Sequence, residues 1–166
     1  MKWIFLDSDP AGLACHKLSN PEASNLRVWL AGQIAASTRL VIPGIVDYEV
    51  RRSLIKDEAW DGVARLDKLY DDGLVELLPI NTAAMREAAS LWAEARRKGQ
   101  PTADHQAIDA DVILVAQAMR RCSDADDWII LTENVGHLAR FVQDRARSRR
   151  QVVAEYLRSP ESLIKE

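Results

Sequence analysis

The sequence predicts an α/β fold with a central parallel β-sheet flanked by helices in three layers. Three observations carry this. The strand-like segments are short, continuous apolar runs, as expected of strands covered on both faces. Helical segments with their own start and stop signals stand between them, in the order strand, helix, strand, helices, strand, helix, helix, strand, helix. Acidic residues recur near the ends of the strands or in the helices that follow, where ligands gather in open parallel sheets.

The first strand is WIFL (3–6), and it runs into Asp7, Ser8, Asp9 and Pro10, residues that favour a turn. SNPEASNLRVWLAGQIAAS then reads as a helix: Ser19 or Asn20 caps it, Pro21 suits its first turn, and Leu26, Leu30 and Ile34 recur at intervals of four. TRLVIP (38–43) is the second strand, with Pro43 placed to open the helix IVDYEVRRSLIK. EAWDGVARLDKLYDDG is an amphipathic helix, its apolar stripe drawn from Trp60, Val63, Leu66 and Leu69 or Tyr70 and its end marked by Gly73. LVELLPI is strand-like. NTAAMREAASLWAEARRKG has cap signals at both ends, Asn81 or Thr82 and Gly99. QPTADHQAI is a polar loop, DADVILVAQAMRRC a strongly apolar helix, DWIILT a buried strand and NVGHLARFVQDRA a final helix. Residues 1–147 are expected to form one domain, and 148–166 a C-terminal tail.

A chain of 166 residues with 48% hydrophobic and 28% charged residues can build a core of its own and is not of disordered composition. Its formal charge of −3 disfavours diffuse attraction to nucleic acid without excluding a local basic groove. Cys15 and Cys122 form no CxxC and no Cys/His spacing, so a zinc site is not expected, and two reduced thiols suit a cytoplasmic protein. Asp7 ends the first apolar run too early for a signal peptide, and no run approaches the roughly 18 residues of a membrane span.

Asp7 ends the first strand, Glu49 lies in the helix after the second, Asp111 in the first turn of the apolar helix and Asn134 just past WIIL. Each has an ordinary explanation as a turn former, a solvated helix residue or a cap. Together, at the ends of separate elements in this order, they suggest a convergent site. Clustered carboxylates repel unless neutralised, and hard oxygen donors suit Mg²⁺ or Mn²⁺. Residue geometry leaves two choices open. Asp47 and Glu49 point about 200° apart on a helix, so only one can face the site, and Asp109 and Asp111 pose the same choice.

The segments FLDSD, IPGIVDYEVRRSL (42–54), DADVILVAQA (109–118) and ILTENVGHLARF (130–141) resemble, in this order, the four motifs of the PIN domain, and within it the VapC-like toxin ribonucleases. The resemblance implies a three-layer PIN-like fold and a metal-dependent endoribonuclease. It carries the site onto Asp7, Glu49, Asp111 and Asn134, with Asp7, Glu49 and Asp111 holding one or two Mg²⁺ or Mn²⁺ ions directly or through water. Thr132 and Asn134 would position the site. The resemblance selects Glu49 over Asp47 and Asp111 over Asp109, which becomes a cap or outer acid. It places Asp9 where the family often has a small polar residue, so Asp9 and Pro10 would shape the turn, and Glu133 would point away. Two positions depart from the pattern: Asn134 stands where the wider family often has Asp, and VILVAQA replaces an Ile-Ala-Ala run.

The resemblance also implies an RNA substrate, a small antitoxin partner covering the acidic site, and a homodimer. Helices 26–36 and 58–70, with Trp29 and Trp60, are candidate partner surfaces. Arg51 and Arg52 are candidate RNA contacts, and RARSRR (145–150) is a second basic run. Three other classes compete. A HAD-type phosphohydrolase would use DSD but needs a Ser or Thr ending the second strand and a Lys. A receiver-like module needs an Asp after the third strand and a Lys after the last. A PIN-like module that only binds RNA or a partner remains open through Asn134.

Overall fold

The computed structural model describes residues 2–100, 109–123 and 125–158. Their strands are β1 (Lys2–Leu6), β2 (Arg39–Pro43), β3 (Glu76–Leu78), β4 (Asp127–Thr132) and β5 (Ala146–Ser148). All pair in parallel in one sheet, in the order β3-β2-β1-β4-β5. The helices are α1 (Ser8–Ala14), α2 (Pro21–Ala35), α3 (Gly44–Lys56), α4 (Trp60–Asp71), α5 (Thr82–Arg97), α6 (Ala110–Arg121), α7 (Val135–Val142) and α8 (Arg149–Arg158).

Helices cover both sheet faces, which explains why β1, β2 and β4 read as apolar runs. Along β1 every residue from Trp3 to Leu6 is buried. Trp3 and Phe5 share a face with Trp128, whose ring meets Phe5 edge-on at 6.0 Å. Arg121 of α6 lies over Trp3 on that side. Ile129 and Lys2 point to the other face, where they share a cavity wall with Trp29 of α2 and Val152 of α8. Helix α6 is buried at every position from Val112 to Ala118, hence its lack of a polar stripe.

The helix punctuation follows the chain's own signals. Asn20 and Asn81 are the N-caps of α2 and α5, each accepting a hydrogen bond from a backbone N–H of the first turn. Gly73 and Gly99, past the ends of α4 and α5, have φ of 66° and 68°, a left-handed backbone that favours glycine.

Two regions differ from the sequence expectation. Residues 8–14 form a helix rather than a turn. Asp7 is its N-cap, and Pro10 falls in the first turn, where no amide donor is needed. Beyond residue 147 the chain completes β5 and forms α8, which packs on α2. Ile34 and Trp60, expected on apolar stripes, are exposed, whereas Trp29 is core. Most of QPTADHQAI, including His105, lies outside the described residues.

Candidate active site

The central strand pair builds the site. β1 and β4 run side by side with Leu6 opposite Leu131, and the Asp7 N–H donates to the Leu131 carbonyl at 3.0 Å. Asp7 and Thr132 therefore leave the sheet together. The Thr132 hydroxyl donates to Asp7 Oδ2 at 2.6 Å, and the Ser8 N–H donates to Oδ1 at 2.7 Å. The Asn134 N–H in turn donates to Thr132 Oγ1 at 2.8 Å, which fixes the direction of the hydroxyl proton.

Glu49 comes from α3, which starts where β2 ends. Its Oε2 accepts from the Ser8 hydroxyl at 2.6 Å. Asp111 comes from the first turn of α6, and its Oδ2 accepts from Asn134 Nδ2 at 3.0 Å. His137 Nδ1, one turn into α7, stands 3.7 Å from the same oxygen. Asp7, Ser8, Glu49, Asp111, Thr132 and Asn134 thus form two hydrogen-bonded groups, joined through the Asn134 backbone.

The electrostatics report proximity. Burial pushes the Asp7 carboxyl above the usual carboxylate range, the hydrogen bonds from Thr132 and Ser8 oppose this, and the charges of Glu49 and Asp9 add to the rise. Burial also raises Asp111, to about 6; Asp7, Asp109 and Glu49 push the same way, and only His137 among its main influences opposes them. A cation would relieve this strain, and the donors are all oxygens of the kind that suit Mg²⁺ or Mn²⁺. Among the described residues, however, no three His, Cys, Asp or Glu side chains come close enough to hold an ion between them. The donor chemistry fits a hard cation held partly through water, not one enclosed by carboxylates alone.

The paired acids resolve as separate roles. Asp47 faces away from Glu49: its carboxylate accepts from the Tyr70 hydroxyl at 2.9 Å and pairs with Arg51 at 2.9 Å. Asp109 is the N-cap of α6 and accepts from the Val112 N–H at 3.2 Å. Asp9 pairs with Arg149 at 2.8 Å, and Glu133 lies 3.6 Å from Arg149 and 3.8 Å from Arg150.

The expected RNA-contact arginines divide in the same way. Arg51 is held by Asp47 and Asp67, both of which favour its charged form, and is directed to α4 rather than to the site. Arg52 is exposed, lies over the Tyr48 ring and comes within 3.7 Å of Glu49. It lines a groove of about 320 Å³ with Ser8, Gly12, Glu49 and Ser53, beside the acids. The RARSRR run is divided: Arg145 donates to the carbonyls of Asp126 and Trp128 and Arg149 is buried, whereas Arg147 and Arg150 are exposed.

Sequence reasoning passed over Ser8, His137 and Arg149. Ser8 was visible only as a turn residue, and His137 showed no ligand spacing. Its place one turn after Asn134 on the same helix was the available signal. Away from the acids, an apolar groove of about 350 Å³ runs between α2 and α4, lined by Leu30, Ile34, Leu40, Leu69 and Leu74 and bordered by Arg27 and Arg65. Among the described residues no helix is long and apolar enough to cross a membrane.

No family model matches the sequence, and no curated protein matches it. Solved structures do. A chain in the structure of VapBC2 from Rickettsia felis, bound to a DNA fragment from its promoter, superposes with a TM-score of 0.65 at 15% identity, over 89% of this chain and 98% of that one. A chain in the VapBC-1 structure from nontypeable Haemophilus influenzae gives 0.59 at 14% identity, over 90% and 99%. Both likenesses span nearly the whole of the known chain. The chain has the PIN-like α/β fold seen in these structures.

Proposed function

We propose that this protein is a metal-dependent endoribonuclease that hydrolyses RNA phosphodiester bonds and acts as the toxin of a toxin–antitoxin pair in the cytoplasm. The observation that carries this is the convergence of Asp7, Glu49 and Asp111, from β1, α3 and α6, at one end of the sheet. Two of these acids have their carboxyls raised by burial and by neighbouring carboxylates, Asp7 by Glu49 and Asp9, and Asp111 by Asp7, Asp109 and Glu49. Such mutual repulsion is characteristic of a site prepared for a cation.

Asp7, Glu49 and Asp111 would hold Mg²⁺ or Mn²⁺. When bound, such an ion acidifies a coordinated water and polarises a phosphate oxygen. The chain's own contribution is orientation. Thr132 and Ser8 hold both oxygens of Asp7. Ser8 also holds Glu49, and Asn134 aims Asp111. Arg52, on the adjoining groove, is positioned to meet an RNA phosphate. The apolar groove between α2 and α4 suits an amphipathic segment of a small antitoxin. Tyr48 and Ile55, exposed seven residues apart on α3, suit a homodimer contact.

The test is cleavage of a mixed RNA pool by purified protein with Mg²⁺ or Mn²⁺ and with chelator. Cleavage should need the metal and vanish in Asp7→Asn and Asp111→Asn. Undiminished cutting by either variant rejects the assignment. One observation favours a second reading, a module that binds RNA or a partner without cutting: the carboxylates do not close on an ion by themselves. A Mn²⁺ titration separates the two, because a binding module of this kind would take up no ion at these residues.

A further inference from the structure

We propose that Arg149 is a positioning residue for the candidate active site, clamping the turn that carries Asp7 to the turn that carries Thr132 and Asn134. This rests on the nuclease reading only for its kinetic consequence.

Arg149 opens α8, beyond the segments that resemble the nuclease motifs. Its side chain is only 5% exposed. A buried guanidinium survives only with partners, since taking its charge out of water unpaired is costly. Three carboxylates surround it. Nε donates to Asp9 Oδ2 at 2.8 Å, Nη1 donates to Glu22 Oε2 at 3.2 Å, and Nε lies 3.6 Å from Glu133 Oε1. The next residue adds a fourth link, because the Arg150 N–H donates to Glu133 Oε1 at 2.9 Å.

Two of the three carboxylates are placed with respect to the site. Asp9 is two residues past Asp7 in the first turn of α1, and Glu133 lies between Thr132 and Asn134. The two turns already meet through the Thr132–Asp7 hydrogen bond. Arg149 joins them a second time, through Asp9 and Glu133. With two ties the turns cannot rotate apart about one hydrogen bond, so the carboxylate of Asp7 keeps its aim. Arg149 also neutralises two acids that would otherwise add negative charge beside Asp7. The third partner, Glu22, sits in the first turn of α2 and belongs to neither turn. It supplies an internal control: the Glu22 arm docks α8, and the Asp9 and Glu133 arms hold the site.

The test compares Arg149→Met, Asp9→Asn, Glu133→Gln and Glu22→Gln. The Ser8 and Asn134 amides donate to Asp7 Oδ1 and Thr132 Oγ1, so their proton–nitrogen resonances report the two turns directly. Expected is a shift of both amides in the Arg149, Asp9 and Glu133 variants. In the same three, Mn²⁺ affinity and kcat should fall by about tenfold or more, the usual scale for groups that orient ligands, with KM changed less than about twofold. Glu22→Gln should lower the melting temperature while leaving both amides, Mn²⁺ affinity and kcat at wild-type values. Equal behaviour of Glu22→Gln and the two site-arm variants overturns the proposal, as do unmoved Ser8 and Asn134 amides. If Arg149→Met does not fold, the three single-arm variants decide alone. The amide comparison needs no catalysis. A wild-type protein that cuts no RNA rejects the nuclease reading and leaves the clamp to be judged by its own measurement.

Discussion

Thr132 and Asp7, 125 residues apart in the chain, are joined by a hydrogen bond of 2.6 Å at the carboxyl edge of the two central strands. The hydroxyl is fully buried, donates to the carboxylate and accepts from the Asn134 N–H. Thr132→Val keeps the shape and removes both bonds. It should destabilise the fold by about 1–3 kcal/mol in urea denaturation, since a buried donor and a carboxylate lose their partner. Cleavage should fall by about 10–100-fold. Thr132→Ser, which retains the hydroxyl, should recover most of both; a serine variant as weak as the valine one would show that the methyl group matters instead.

The raised Asp111 carboxyl has a stability signature in metal-free protein. Its folded pKa of about 6 exceeds the ordinary 3.8, so the native state binds its proton more tightly than the unfolded chain does. The stability this group adds is present below about pH 4 and is lost as pH rises towards about 6. Asp111→Asn removes the dependence. The variant should exceed wild type at about pH 7.5 by at most about 3 kcal/mol and show little gain near pH 4. Thermal melts across this range in chelator decide the matter, and parallel curves for the two proteins would contradict it.

Asp47 separates fold from chemistry on one helix. It accepts from Tyr70 and pairs with Arg51, on the opposite side of α3 from Glu49. Asp47→Asn should cost about 1–3 kcal/mol, the scale of hydrogen bonds to a charged group. RNA cleavage should stay within about twofold of wild type when assayed well below the melting temperature. Glu49→Gln should do the reverse. Side-by-side melts and cleavage rates check both; loss of cleavage in Asp47→Asn at full stability would exchange the two roles.

A fragment ending at residue 147 should be far less stable than the whole chain. It lacks α8, which buries Val153 and lays Tyr156 against α2 where Gly32 leaves no side chain. It also lacks Ser148, which pairs with Thr132. Loss of this cover should remove on the order of 2–5 kcal/mol and lower the melting temperature by roughly 10 °C. A fragment melting with the full-length protein would show that α8 adds nothing to the fold.

The legible parts of the fold are those with local physical signals. β1, β2 and β4 are continuous apolar runs because both their faces are covered, and α2 and α5 are announced by Asn20 and Asn81. α1 was hidden because Asp7, Ser8, Asp9 and Pro10 are equally good turn formers and helix starters, and the choice lies in how Asp7 caps. β5 and α8 were hidden for a different reason. The strand ARS has one apolar residue, and α8 buries an arginine whose partners lie in α1, α2 and the β4–α7 turn. No pattern along the chain records such a contact. In the site, Asp7 was legible because it ends a strand, whereas Glu49 and Asp111 were selected over Asp47 and Asp109 only by the resemblance. Choosing Arg52 over Arg51 needed the structure, since consecutive helix residues point about 100° apart and each finds its own neighbours.

The pairing of Leu6 with Leu131 has a consequence for synthesis. A ribosome delivers Asp7 and Glu49 first, and Asp111, Thr132 and Asn134 only later. Between Glu49 and Asn134 elongation takes roughly 4 to 17 seconds at ordinary speeds. Through that interval β1 has no β4 beside it, and Asp7 has neither its threonine donor nor its partner acid on α6. The acids come together only when the middle of the sheet closes.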